Sequence, residues 1–176
     1  NLRVGKFKIV NVGADGNCFF RSISQLIFGN QNKHGIIRKS MVRWVHENRK
    51  ELIDKNIVSL GGSEDTGHSI PFCWFFQAQL SDPKMDGVSR EDKEYVREIE
   101  PRRNSNYYSK KDQNRLIDIY CKTMGTLGVW AYGKLEFYFV CNALNKYHNE
   151  KIRMILYRFP CPNNPDYEGN GNRVDP

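Results

Sequence analysis

The stretch Asp15-Gly16-Asn17-Cys18 sets a cysteine directly behind a glycine-containing turn and directly ahead of a segment with helical apolar spacing. A thiol attacks a carbonyl carbon as its thiolate, and the unpaired amides and dipole at a helix N-terminus favour that anion. Gly16 lets the preceding backbone bend without steric cost, so amides of residues 15–18 can converge beside the sulfur, as an oxyanion hole requires. A free cysteine packed at the start of a core helix fits the same spacing, because cysteine is among the most buried residue types. Spacing alone leaves both readings open.

A nucleophilic cysteine also needs a histidine to take its proton and return it to the leaving amine. The chain has four histidines. His34 precedes a helix and reads as a packing or hydrogen-bonding residue. His46 faces outward from the same helix, and His68 sits in a glycine-rich loop with no further feature. His148, in "NKYHNEKI", has Glu150 two positions on. It reads as part of the connection between a helix and a strand, where nothing directs its ring at Cys18. No histidine of the chain is therefore expected to contact Cys18.

The elements that would position these residues follow from hydrophobic period. "FKIVNV" (7–12) has the β-branched and aromatic content of a strand running into a turn at Gly13. From Cys18, Phe19, Ile23, Leu26 and Ile27 recur at helical spacing, and Gly29 with Asn30 is a stop signal. "GIIRKSMVRWVHENRKEL" (35–52) predicts one amphipathic helix, with Ile37, Met41, Trp44, Val45 and Leu52 on the buried face and Arg38, Lys39, Arg43 and Arg49 mostly elsewhere. Residues 59–80 fit either a buried helix or an extended segment. Residues 82–108 read as a surface insertion that holds a short helix from Ser89. A helix with Ser109 as N-cap and Gly125 as stop comes next, then a helix through Leu135, Tyr138, Phe139 and Ala143, then a strand over 152–159. The tail 160–176 reads as loop or frayed end. The expected fold class is α/β (α+β): a single domain over 1–176, its small central sheet including 7–12 and 152–159 and flanked by helices.

With 176 residues, 39% of them hydrophobic and 27% charged, the chain is long enough for one core without metal or disulfide support. Its five cysteines lie scattered at 18, 73, 121, 141 and 161 with no C-x-x-C pair, which argues against a disulfide framework and a zinc site. No apolar run reaches the length of a membrane span and the first residues lack a signal-peptide layout, so no membrane association and a cytoplasmic or nuclear setting are expected. Residues 1–58 carry 11 basic and 4 acidic side chains, yet no Lys/Arg run exceeds two residues and basic and aromatic positions are not interleaved. A nucleic-acid partner is accordingly not expected.

"DGNCFFRS" (15–22) resembles the signature around the catalytic cysteine of the ovarian tumour (OTU) family of cysteine proteases. The resemblance continues in order through "HGIIRKSMVRWVHEN" (34–48), similar to the family's His-x-x-x-Arg helix. It extends to "LIDIYCKTMGTLGVWA" (116–131), similar to the helix leading into its Trp-Gly turn, and to "LEFYFVCNALN" followed by "IRMILY". The resemblance implies cleavage of isopeptide bonds to ubiquitin or a ubiquitin-like modifier. Cys18 would be the nucleophile, Asp15 would fix the loop, and the backbone around Gly16 and Asn17 would form the oxyanion loop, with no metal or cofactor. The pattern departs at Ala131, which follows Trp130 where the family has glycine, and at 82–108, which is longer than a compact member needs. The family base would fall near or beyond Pro176, whereas His148 is only 18 residues past Trp130. The leading expectation is a thiol-dependent isopeptidase; the alternative is an OTU-like ubiquitin-binding module without the base.

Overall fold

The computed structural model describes residues 10–55, 88–99, 108–131 and 134–148. Among them the elements are α1 (Cys18–Phe28), α2 (His34–Glu47), α3 (Arg49–Asp54), α4 (Arg90–Ile99), α5 (Lys110–Gly125) and α6 (Lys134–Tyr147). The reading of a small central sheet flanked by helices is thereby corrected: among the described residues the fold is helical, with no strand. Residues 10–12 are irregular, and the reason is local. Gln31 Nε2 donates to the Asn11 carbonyl at 2.8 Å and the Gly13 amide donates to Gln31 Oε1 at 3.3 Å, so one side-chain amide takes groups that a neighbouring strand would pair. Residues 7–9 and 152–159, the rest of the expected sheet, lie outside the described residues, as do 59–80 and 160–176.

Helix α2 is the centre of the bundle and packs on α6, α5 and α1. Its Ile37, Met41 and Val45 are fully buried, matching the amphipathic face read from the sequence. Phe20 of α1, Leu116, Ile117, Tyr120 and Met124 of α5, and Phe139, Val140 and Leu144 of α6 complete the core. Edge-on ring contacts knit it together, with Phe139 5.7 Å from Tyr120 and Phe19 of α1 4.8 Å from Phe137 of α6. Such ring pairs contribute about 0.5–1.5 kcal/mol beyond their buried area. The buried faces are slightly narrower than the apolar stripes of the sequence, since Leu26 is 81% exposed and Tyr138 38% exposed.

The single helix expected over 35–52 is broken at Asn48 into α2 and α3. Asn48 Nδ2 donates to the Trp44 carbonyl at 2.7 Å, beside the backbone bond to the same oxygen. Asparagine side chains compete for backbone groups in this way, and that bends a helix without changing which face is buried. Leu52 therefore still reaches the core, on the side of α5.

Two helix starts follow the capping chemistry. Ser109 caps α5 in a reciprocal box with Asp112, as the sequence suggested. Ser89 receives the Asp92 amide at 3.2 Å ahead of α4. This described part of 82–108 buries Val96 and Ile99 and is tied to α5 by Lys122–Asp92 at 3.0 Å and by Arg115, stacked 3.8 Å over the Tyr95 ring.

Glu47, at the end of α2, accepts from Tyr147 Oη at 2.6 Å, Arg43 Nε at 2.7 Å and Lys146 Nζ at 2.9 Å, joining α2 to α6. The Tyr147 hydroxyl first, then Arg43 and Lys146, hold its carboxyl down from 4.5 to about 2. A carboxyl whose folded pKa is depressed adds stability above its unfolded pKa and loses it as pH falls through the folded value. Melting temperature should thus decline between pH 4.5 and about 2 in the wild type, and Glu47→Gln should flatten that part of the profile, a change that thermal melts at stepped pH would read. In the interior, Phe139→Ala should destabilise the fold by about 3–5 kcal/mol in urea unfolding, the range for a fully buried phenylalanine.

Candidate functional site

Cys18 is the first residue of α1 and is half-buried. The turn ahead of it is shaped by Gly16, whose φ of +76° is a left-handed conformation that a side chain disfavours. A Cβ at Gly16 would also stand 1.7 Å from the carbonyl oxygen of Gly128, itself at φ +87°. Two bare backbones thus meet at this point, and the loop after α5 lies directly against the turn before α1.

Asp15 and Asn17 hold the turn from opposite sides. The Asp15 carboxylate accepts the Asn17 amide at 3.1 Å and forms a two-pronged ion pair with Arg21 one turn into α1, its shortest contact 2.6 Å. That guanidinium holds the Asp15 carboxyl far below the usual carboxylate range. Asn17 is buried and turns inward: its Oδ1 accepts from the Gly128 amide and from Arg38 Nη2, each at 3.0 Å, and its Nδ2 donates to the Asp15 carbonyl at 3.3 Å.

Because Asn17 spends its side chain on these contacts, α1 has no side-chain cap. The amides of its first turn, starting with Cys18, have no acceptor within the helix and carry the positive end of the dipole. The Asn17 amide, by contrast, is engaged by Asp15. In chemical terms the arrangement offers a half-buried cysteine at the start of a helix that has no side-chain cap. Cys121 shows the opposite environment: it is buried in α5, and desolvation pushes its thiol up to about 12.

Arg38 is the residue that sequence reasoning misplaced. Expected away from the buried face of α2, it is fully buried. Nη1 donates to the Met124 carbonyl at 2.9 Å, and Nη2 donates to Val129 O at 2.7 Å, Asn17 Oδ1 at 3.0 Å and Gly16 O at 3.3 Å. Its guanidinium carbon lies 4.1 Å from the centre of the Phe20 ring. Burial lowers its pKa to about 10, so it stays charged at neutral pH. The four-residue spacing of His34 and Arg38 was the available signal. Periodicity hides it, because an arginine on a helix reads as solvated. Gly128 was missed as well, since nothing in "TLGVW" marks which residue its backbone approaches.

The described histidines lie elsewhere, two of them with hydrogen-bonded rings. His34 Nδ1 bonds the Gln31 carbonyl at 2.9 Å, His46 is exposed on α2, and His148 Nε2 pairs with Ser40 Oγ at 3.1 Å beside the Phe28 ring. Among the described residues no hydrogen bond joins any of them to Cys18, and His68 lies outside that set. Among the described residues there is also no group of three or more His, Cys, Asp or Glu side chains placed to hold a metal ion, and no helix long and apolar enough to cross a membrane. Ala131, the departure after Trp130, is half-buried against the core, while Trp130 and Leu127 are exposed on the loop that abuts the turn.

A family model described as "Vertnin, OTU domain" matches residues 10–110. An Arabidopsis thaliana protein, "ovarian tumor domain-containing deubiquitinating enzyme 7", is 44% identical over 43 residues, which is 24% of this chain and 12% of that protein. The chain therefore matches only a small part of that relative's length. No solved structure gives a significant match.

The Gly16–Gly128 contact is open to a direct comparison. Gly29 has nearly the same backbone, φ +69°, but nothing within 4 Å of where its Cβ would stand. Gly29→Ala should cost about 1–2 kcal/mol, the strain of a left-handed alanine. Gly16→Ala should cost clearly more, because its obstacle is a backbone carbonyl that cannot rotate away. Urea unfolding of the two variants side by side reads the difference, and equal losses would show that the two loops do not touch.

Proposed function

The chain belongs to the ovarian tumour (OTU) domain family, and from that premise we propose that it is a thiol-dependent, deubiquitinase-like domain whose Cys18 attacks the carbonyl carbon at the C-terminus of ubiquitin or a ubiquitin-like modifier. The observation that carries this reading is the position of Cys18: first residue of an uncapped helix, half-buried, behind a turn held on both sides. In the reaction the sulfur forms a bond to the carbonyl carbon and the carbonyl oxygen takes the negative charge. First-turn amides of α1, next to the sulfur in sequence, would donate to that oxyanion. Collapse then breaks the C–N bond, the lysine amine leaves carrying the proton that the Cys18 thiol gave up, and water hydrolyses the thioester, its hydroxyl going to the modifier's carboxyl group and its proton back to sulfur. Asp15 acts at one remove, by keeping the turn in register through Arg21 and the Asn17 amide.

Proton transfer to the leaving amine needs a base that becomes an acid. The engagement of His34 and His148 elsewhere favours a second reading, in which the domain binds the modifier without turning it over.

Ubiquitin bearing a thiol-reactive C-terminal electrophile separates the readings. A covalent adduct on Cys18, identified by peptide mass and abolished in Cys18→Ser, is the expected outcome. Turnover of ubiquitin conjugates alongside the adduct would give the complete enzyme. Adduct without turnover would give a nucleophile lacking its acid, and saturable ubiquitin binding without adduct would give the binding module. The absence of both adduct and binding would overturn the proposal.

A further inference from the structure

We propose that Arg38 is a positioning residue for Cys18: its guanidinium fixes the Gly16-Asn17 turn and thereby sets the direction of the sulfur and the first-turn amides toward a bound acyl group. The inference rests on the reading of Cys18 as a nucleophile and adds the group that orients it.

The partners of Arg38 argue for this role. Nη2 alone reaches Gly16 O, Asn17 Oδ1 and Val129 O, while Nη1 takes Met124 O. The guanidinium thus binds the turn before Cys18 and the loop that presses against it. Within a trans peptide the C=O and N–H point in opposite directions, so drawing the Gly16 carbonyl inward turns the Asn17 amide outward, where Asp15 Oδ1 receives it at 3.1 Å. The inner and outer hold on the turn are therefore two ends of one peptide plane. Cys18 follows immediately, and a displacement of that plane moves the sulfur with it.

Stability alone does not account for the residue. Among the described residues Arg38 has no carboxylate partner in an ion pair, and its Nε is buried without an acceptor. Removing a cation from water costs several kcal/mol, and an apolar side chain of similar volume in such a place is often as stable or more so. A buried polar atom left unpaired calls for an explanation. Here the fork is aimed so that Nη2 faces the turn and its neighbouring loop and Nη1 the end of α5, and Nε is left behind by that aim. A lysine would bring the charge as a compact ammonium on a flexible stem and could not spread planar donors over the same acceptors.

The test compares two electrophiles on the same sulfur, with the labelled peptide identified by mass. Electrophilic ubiquitin requires Cys18 aligned with a docked acyl-like group; iodoacetamide requires only an accessible thiol. In Arg38→Lys, with circular dichroism and melting confirming the fold, the rate with electrophilic ubiquitin should fall about a hundredfold, as expected for roughly an ångström of misplacement, while iodoacetamide labelling stays within about threefold. Asn17→Ala, which removes an acceptor of the fork, should give the same split and decides the matter if Arg38→Lys does not fold. A ratio of the two rates that stays at the wild-type value overturns the proposal, including the case where both fall together with the melting temperature. If wild-type Cys18 takes iodoacetamide but never electrophilic ubiquitin, the ubiquitin reading has failed. Arg38 is then judged by amide resonances: signals of Gly16, Asn17, Cys18 and Gly128 should shift in Arg38→Lys with the last turn of α6 unmoved. Unshifted turn signals would overturn the proposal.

Discussion

A guanidinium removed from water, with carbonyl-type oxygens for company and no ion-pair partner among the described residues, governs this architecture. Arg38 stays charged because its surroundings replace water piece by piece. The Met124 carbonyl lies at the negative end of α5, Val129 and Gly16 add further carbonyls, Asn17 adds an amide oxygen, and the Phe20 ring offers its electron-rich face. These groups come from two stretches far apart in the chain, 16–20 and 124–129. The packing of α2 against α1 and α5 is what brings them to one point, so the bundle and the turn before Cys18 are aspects of one arrangement.

The two ends of the turn live in different dielectric conditions. On the outside, Asp15 and Arg21 form a pair that solvent reaches, and mobile ions weaken such pairs. On the inside, Arg38 and Asn17 are shielded from both. Rising ionic strength therefore weakens the Asp15–Arg21 pair while leaving the buried contacts of Arg38 and Asn17 in place.

What the sequence made legible was whatever depends on local period and local chemistry. Ile37, Met41 and Val45 announced the core face of α2, Ser109 announced the start of α5, and Cys18 announced the start of α1. What it concealed depends on contacts far along the chain. Arg38 looks solvated until Met124 and Val129 supply its acceptors; Gly16 and Gly128 look like ordinary turn residues until their backbones meet. The sheet was expected from the β-branched content around Val10 and Val12, and that content could not reveal that Gln31 would take the neighbouring backbone groups. The side-chain bond at Asn48 likewise overrode an unbroken apolar stripe.

The bond between Asn17 Oδ1 and the Gly128 amide spans 111 positions of the chain. During synthesis from the N-terminus, α1 and α2 leave the ribosome long before the residues that complete the turn. The entropy of closing so long a loop must be met before its contacts stabilise anything. Cys18 thus precedes by more than a hundred residues the loop that completes its turn, and the turn gains its Asn17–Gly128 contact only on the arrival of 124–129. In the mature molecule the same topology runs in reverse: a local opening that lifts the 126–131 segment off α1 disassembles the turn while the α2–α6 contact persists, so the cysteine's environment reports on the docking of one short loop rather than on global unfolding.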